Sequence, residues 1–175
     1  MLYKILEYPA IPKLLLDQFV PDQKIGEYPS RQCHNSDVIF NSSGGIFYQA
    51  DAAITQWVEE NINLDITAVG LRYQFGSAST PSHGVHSDAT RDYALIYMVD
   101  NADGEVVFWE RDHQPLVTND IQIITDYSTI TKIESVVIPS STWYLINGRI
   151  LHSIENMTRT RVSLQVNIKS LQGIL

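Results

Sequence analysis

The chain's 175 residues are 44% hydrophobic and 18% charged, a composition suited to one globular domain with a true core and too apolar for disorder. Twelve Lys and Arg against 20 Asp and Glu leave a formal net charge of −8, which speaks against nucleic-acid or anionic-membrane partners, since both are held through cationic side chains. A lone cysteine, Cys33, excludes a disulfide framework or a cysteine-rich zinc module, and no apolar run approaches the ~18 residues of a membrane span.

In chain order, Lys4, Glu7 and Pro9 interrupt any apolar export signal, so a cytoplasmic single domain over 1–175 is expected, with no signal for its oligomeric state. Residues 12–19 suit a short helix with Pro12 in its first turn. The stretch 20–43, rich in Pro, Gly, Ser, Asn and Asp, reads as irregular, and its part 28–41, with Arg31 and Cys33, suits a substrate lid. Ala52, Ala53, Ile54, Trp57 and Val58 then recur at helical spacing behind Asp51, a natural N-cap, which predicts a helix over 51–61.

Beyond Asn63 the texture becomes strand-like. Short β-branched and aromatic runs at 66–75, 93–99, 105–109, 121–125, 134–138, 143–146, 150–154 and 161–168 are separated by turn residues. Such strands after a helical and irregular preamble (1–63) predict a mostly β sandwich or jelly roll over 64–175 rather than alternating βαβ units. In the last run Val162, Leu164, Val166 and Ile168 share one face and Arg161, Ser163, Gln165 and Asn167 the other, a polar face that is either solvated or lines a cavity.

The chemistry-bearing segment is Pro81-Ser-His-Gly-Val-His-Ser-Asp-Ala-Thr90, read as turn-rich. On extended backbone His86 and Asp88 project to the same side, and an imidazole and a carboxylate so placed can each give one ligand to a divalent ion. By itself His-x-Asp is weak, because an Asp in a turn commonly bonds nearby backbone. His152, 64 residues after Asp88 on a strand-like stretch, is the candidate third ligand. Two His and one carboxylate leave the opposite metal positions open, as in non-heme Fe(II) oxygenases. His83 lacks an x-Asp partner and reads as a loop residue; His34 and His113 read as surface residues.

From Leu71 to Ile168 the chain resembles the Fe(II)/2-oxoglutarate-dependent dioxygenases, above all their prolyl-4-hydroxylase-like branch. The pieces that carry the resemblance come in the family's order: Arg72-Tyr73-Gln-Phe-Gly76 before His86-Ser-Asp88, Arg91 and Ala94-Leu-Ile-Tyr97, Asp103-Gly104-Glu105-Val-Val-Phe108, and His152-Ser-Ile nine residues before Arg161-Val-Ser163. The resemblance implies a double-stranded β-helix core, of the jelly-roll or cupin-like kind, with the N-terminal helices packed on one sheet. It implies iron on His86, Asp88 and His152, the distal carboxylate of 2-oxoglutarate on Arg161, and Ser163, Tyr97 and Tyr73 near that cosubstrate. A register shift of one residue would put Met98 in the place of Tyr97.

The implied reaction couples decarboxylation of 2-oxoglutarate by O₂ to hydroxylation of a small molecule or exposed peptide residue, with ascorbate as a reductant. Asp103-Gly104 stands where the branch has Gly-Gly, and Ser79-Thr-Pro-Ser82 where its prolyl hydroxylases have an aromatic, which argues against peptidyl proline as substrate. The alternative is a cupin-type metal-binding jelly roll without 2-oxoglutarate chemistry.

Overall fold

Alternation along the C-terminal strands dictates the layers. In β13 (Thr160–Ile168) Leu164 and Val166 are buried on one face and Arg161, Ser163 and Gln165 on the other. The same division holds in β6 (Ile66–Phe75), with Val69 and Leu71 opposed to Arg72 and Gln74. In β8 (Tyr93–Asp100) Leu95 and Tyr97 oppose Ala94, Ile96 and Met98, and in β11 (Thr142–Asn147) Trp143 and Leu145 oppose Tyr144 and Ile146. Each strand thus has two buried faces, which only a sheet covered on both sides can satisfy.

The computed structural model describes residues 1–88, 91–111 and 122–169. With β7 (His83–His86), β9 (Glu105–Glu110), β10 (Thr131–Val136) and β12 (His152–Glu155), the strands pair antiparallel as β6–β13, β7–β12, β8–β11 and β9–β10. This nesting is one long hairpin rolled up on itself, and the pairs β13–β8 and β12–β9 join successive layers of the roll. The product is a jelly roll, a double-stranded β-helix.

The N-terminal third extends one sheet of this roll. β1 (Tyr3–Leu6), β2 (Lys24–Tyr28) and β5 (Gly45–Gln49) join it to give the seven-stranded order β1-β11-β8-β13-β6-β5-β2, facing the four-stranded β10-β9-β12-β7. Helices α1 (Lys13–Gln18) and α2 (Ala52–Asn61) cover its outer face, where Ile54, Val58 and Ile62 pack on Leu71, Leu95, Tyr97, Trp143 and Leu164. α2 starts where the Asp51 carboxylate accepts the Ile54 N–H at 2.9 Å, and Ile54 and Val58, four residues apart, bury the same face.

Three local expectations are corrected. The stretch expected to be irregular holds β2 and the ribbon β3 (Arg31–Asn35) with β4 (Val38–Ser42), turning at Ser36 with φ 50°. These strands sit at an edge or in a two-stranded ribbon, where Val38 and Ile39 stay exposed, so backbone pairing forms them without an apolar alternation to betray it. The expected strand at 121–125 is absent over 122–125, where Ile123 makes a single bridge to His86; Ile121 lies outside the described residues. The segment read as turn-rich contains β7 instead.

Candidate metal centre and adjoining cavities

β7 and β12 are neighbours in the smaller sheet, and their register sets His86 directly opposite His152. Asp88 follows just past the end of β7, its backbone N–H held by the Gly148 carbonyl at 2.7 Å. One ligand atom from each of His86, Asp88 and His152 lies within 4.8 Å of the other two, and no other such group occurs among the described residues.

Local hydrogen bonds choose the ligand atoms. Nδ1 of His86 donates to the Gly84 carbonyl at 2.9 Å, and Nδ1 of His152 to the Ile150 carbonyl at 2.8 Å. A carbonyl only accepts, so each Nδ1 carries the proton and each Nε2 keeps its lone pair for a metal. Burial, aided by the charge of neighbouring His152 and Arg72, pushes the pKa of His86 down; burial does the same to His152. Burial pushes the Asp88 carboxyl up, but Arg91, His152 and His86 together outweigh it and hold the group below the ordinary carboxylate range. Arg91 Nε donates to Asp88 Oδ2 at 2.8 Å, and its Nη2 to Gln165 at 3.2 Å. The set is therefore two neutral nitrogens and one carboxylate, donors that can together hold one divalent metal ion.

His83 is corrected from a loop residue to a buried residue of β7. Its Nδ1 donates to the Ser43 carbonyl at 3.2 Å and its Nε2 accepts from Arg72 Nη2 at 2.8 Å, so both ring nitrogens are spent and it is no metal ligand. His34 is half-exposed beside Asp126, and His113 lies outside the described residues.

Two cavities meet at these ligands. The inner one, between the sheets, is lined by Gln74, Ile96, Tyr144, His152, Arg161 and Gln165 among others, and its free volume is about 20 Å³. Here Arg161, 3% exposed, donates to Gln74 Oε1 at 2.5 Å and to Tyr144 Oη at 2.9 Å. Ser163, on the same strand face, is buried with its hydroxyl lacking any partner. The outer cavity, about 340 Å³, opens on His86 and Asp88, and the segment expected as a lid supplies part of its wall through Tyr28, Arg31 and Cys33.

Tyr97 and Tyr73 are corrected. Both point to the opposite face of the seven-stranded sheet, Tyr97 against Trp143 (ring centroids 5.0 Å apart) and Tyr73 against Tyr48 (5.8 Å). The strand period of two decides this: the cavity receives Ile96 and Arg72 from those strands instead. Sequence reasoning missed Arg72, Gln74 and Tyr144, whose signal was alternation with the apolar Leu71, Tyr73 and Trp143 of the same strands. Asp88 is the sole carboxylate lining either cavity among the described residues, against Arg31, Arg72, Arg91 and Arg161.

No protein-family model and no curated protein matches the chain. Solved structures similar to it include a 2OG-Fe(II) oxygenase family oxidoreductase from Burkholderia pseudomallei, at 10% identity over 88% of this chain and 75% of that one, with a TM-score of 0.43. The ribosomal oxygenase YcfD of Escherichia coli is similar at 12% identity over 97% of this chain and 49% of that one (TM-score 0.45). A prolyl-4-hydroxylase from Pseudomonas putida is similar at 11% identity over 79% and 78% (TM-score 0.36). The chain thus spans about half the length of the Escherichia coli enzyme. At this level of likeness no residue roles transfer, and the roles assigned to this chain rest on its own geometry. No helix among the described residues is long and apolar enough to cross a membrane.

Proposed function

We propose that this chain is an Fe(II)- and 2-oxoglutarate-dependent dioxygenase that hydroxylates a C–H bond of a small molecule or an exposed peptide residue. The observation that carries the reading is the convergence of His86, Asp88 and His152 beside a buried Arg161 whose side-chain acceptors, Gln74 and Tyr144, are neutral. A buried guanidinium without a counter-ion is costly, and a carboxylate is the group its planar fork of donors fits.

His86, Asp88 and His152 would hold iron, and Arg161 would take the distal carboxylate of 2-oxoglutarate, with the unpartnered Ser163 hydroxyl as a further donor. Bound there, iron and 2-oxoglutarate supply the oxidising chemistry, O₂ being consumed as the cosubstrate becomes succinate and CO₂. The chain's own residues prepare the site. Burial keeps both imidazoles neutral and ready to ligate at neutral pH, their carbonyl partners fix the ring orientations, and Arg91 keeps Asp88 ionised. Ile96, Val106, Ile146 and Ile154 wall the inner cavity with apolar groups that exclude water.

One observation favours the cupin-type alternative: the inner cavity has room for about one water, so a cosubstrate enters only if Gln74 and Tyr144 give up Arg161. Anaerobic titration of the metal-free protein with Fe(II) and then 2-oxoglutarate separates the two. The dioxygenase reading expects a visible metal-to-ligand charge-transfer band that needs both components and weakens in Arg161→Gln. Iron binding without the band leaves the cupin-type reading, and absence of iron binding overturns both.

A further inference from the structure

We propose that the outer cavity binds a small monocarboxylic acid with an apolar body, its carboxylate seated on Arg72 and its body reaching toward the metal ligands. The identification of this acid as the substrate rests on the dioxygenase reading; the binding site itself does not.

The case is one of charge and of unfilled bonds. Arg72 is 7% exposed, yet its polar partner is the neutral His83 ring, and its guanidinium lies 4.6 Å from the centroid of the Tyr28 ring. Its Nε is buried with no hydrogen-bond partner among the described residues. Asp88 offers partial relief only: its charge favours the Arg72 cation, but its hydrogen-bonded pair is with Arg91, and it is the sole carboxylate lining the cavities among the described residues. Arg72 and Arg161 are thus two buried cations facing a single carboxylate that is already engaged. A 2-oxoglutarate carboxylate on Arg161 leaves Arg72 still unneutralised, and a second anion answers it.

Arg72 lines both cavities, but the inner one has room for about one water, and Tyr28 and His83, the groups around the Arg72 guanidinium, line the outer cavity alone, which makes the outer cavity the place of that second anion. Ser43, 2% exposed and on the same wall, has a hydroxyl with no partner and supplies a further donor. The remaining walls include Phe47, Val85, Ile123 and Ile124, which suit an apolar body. A volume of about 340 Å³ is that of a small-molecule site, and a chain of net charge −8 repels acidic macromolecules while its cationic cavity draws small anions in. Of the guanidinium groups on the outer wall, Arg91 pairs with Asp88 and Arg31 is only part-buried and keeps contact with water, so Arg72 is the buried one left to be neutralised, and a singly charged carboxylate does so.

Calorimetric titration of the metal-free protein with 3-phenylpropionate, 3-phenylpropanamide and phenyl phosphate tests this. The carboxylate is expected to bind at least tenfold tighter than the isosteric amide, Arg72→Gln to abolish the difference, and Arg161→Gln to preserve it. Equal affinities for acid and amide overturn the proposal, as does a preference that disappears in Arg161→Gln but survives in Arg72→Gln. Tighter binding of phenyl phosphate overturns the choice of carboxylate. Should Arg72→Gln fail to fold, anomalous scattering from wild-type crystals soaked in 3-(4-bromophenyl)propionate locates the ligand, and bromine outside the outer cavity overturns the proposal. Arg72-dependent binding of phenylpropionate in a protein that gives no charge-transfer band leaves the anion site standing and removes only the dioxygenase reading. A band without acid-over-amide preference does the reverse.

Discussion

Neutral histidines are the residue-scale condition of this site, and they carry a pH signature. His83, His86 and His152 each bind a proton less readily in the fold than in the unfolded chain, chiefly because burial disfavours the charged ring. Below about pH 6.5 the unfolded chain therefore takes up more protons, and stability falls as pH falls, by up to about 1.4 kcal/mol per pH unit for each histidine. Glu155 acts in the opposite sense: burial raises its pKa, so the fold holds its proton more readily than the unfolded chain does and its contribution to stability grows as pH falls toward the carboxylate range. The melting temperature of the metal-free protein is expected to drop from pH 7 to pH 5, and to drop less in His83→Gln, which keeps an acceptor for Arg72. A melting temperature that does not change over this interval would contradict the neutral-histidine account.

At the scale of elements, the site is a matter of strand register and of one close approach. Gly148 sits so tightly on Asp88 that a Cβ there would lie 2.8 Å from Asp88 Oδ2 and 3.1 Å from Asp88 Cβ. Gly148→Ala is expected to turn the carboxylate aside and lower affinity for Fe(II) roughly tenfold, the effect typical of disturbing a ligand's support, with all three ligands still present. Unaltered Fe(II) affinity in an anaerobic titration would place Asp88 outside the metal's reach. α2 depends on its cap: Asp51→Ala should cost about 1 kcal/mol in urea unfolding and leave metal binding alone. That helix was legible because five apolar residues recur at its period behind a capping Asp, and β13 because its alternation runs unbroken for eight residues, 161–168. β7 was not, because four residues, two of them His and one Gly, carry no strand signal and pair only once β12 is beside them. Tyr97 and Tyr73 were placed on the wrong face for a related reason: the strand was readable, but which of its two buried faces met the cavity was not.

The whole molecule separates its layers by task. Apolar residues on the outer face of the seven-stranded sheet anchor the helices, while the inner face of the same strands carries Arg72, Gln74, Arg161, Ser163 and Gln165 toward the metal ligands. Trp143 belongs to the first layer, buried against Tyr8 and Tyr97, with its Nε1 donating to the Pro9 carbonyl at 2.9 Å. Trp143→Ala is expected to lower stability by roughly 3–5 kcal/mol in denaturant unfolding and to leave Fe(II) affinity in the folded protein unchanged. A large loss of affinity instead would show that the layers are coupled.

By itself the sequence determined the local matters: a mostly β core after two helices, the alternation of its last strand, the absence of cationic excess, and His86, Asp88 and His152 as candidate metal ligands. Each is written in neighbouring side chains or in composition, where the physics is short-ranged. The tertiary structure decided which polar face became a cavity wall, that His83 is closed off by Arg72 and Ser43, and that two arginines, Arg72 and Arg161, lie buried with no carboxylate bonded to them among the described residues. Those outcomes depend on pairing strands far apart in the chain. A one-residue change of register there reverses every side chain, and no local pattern records which register the rolled hairpin adopts.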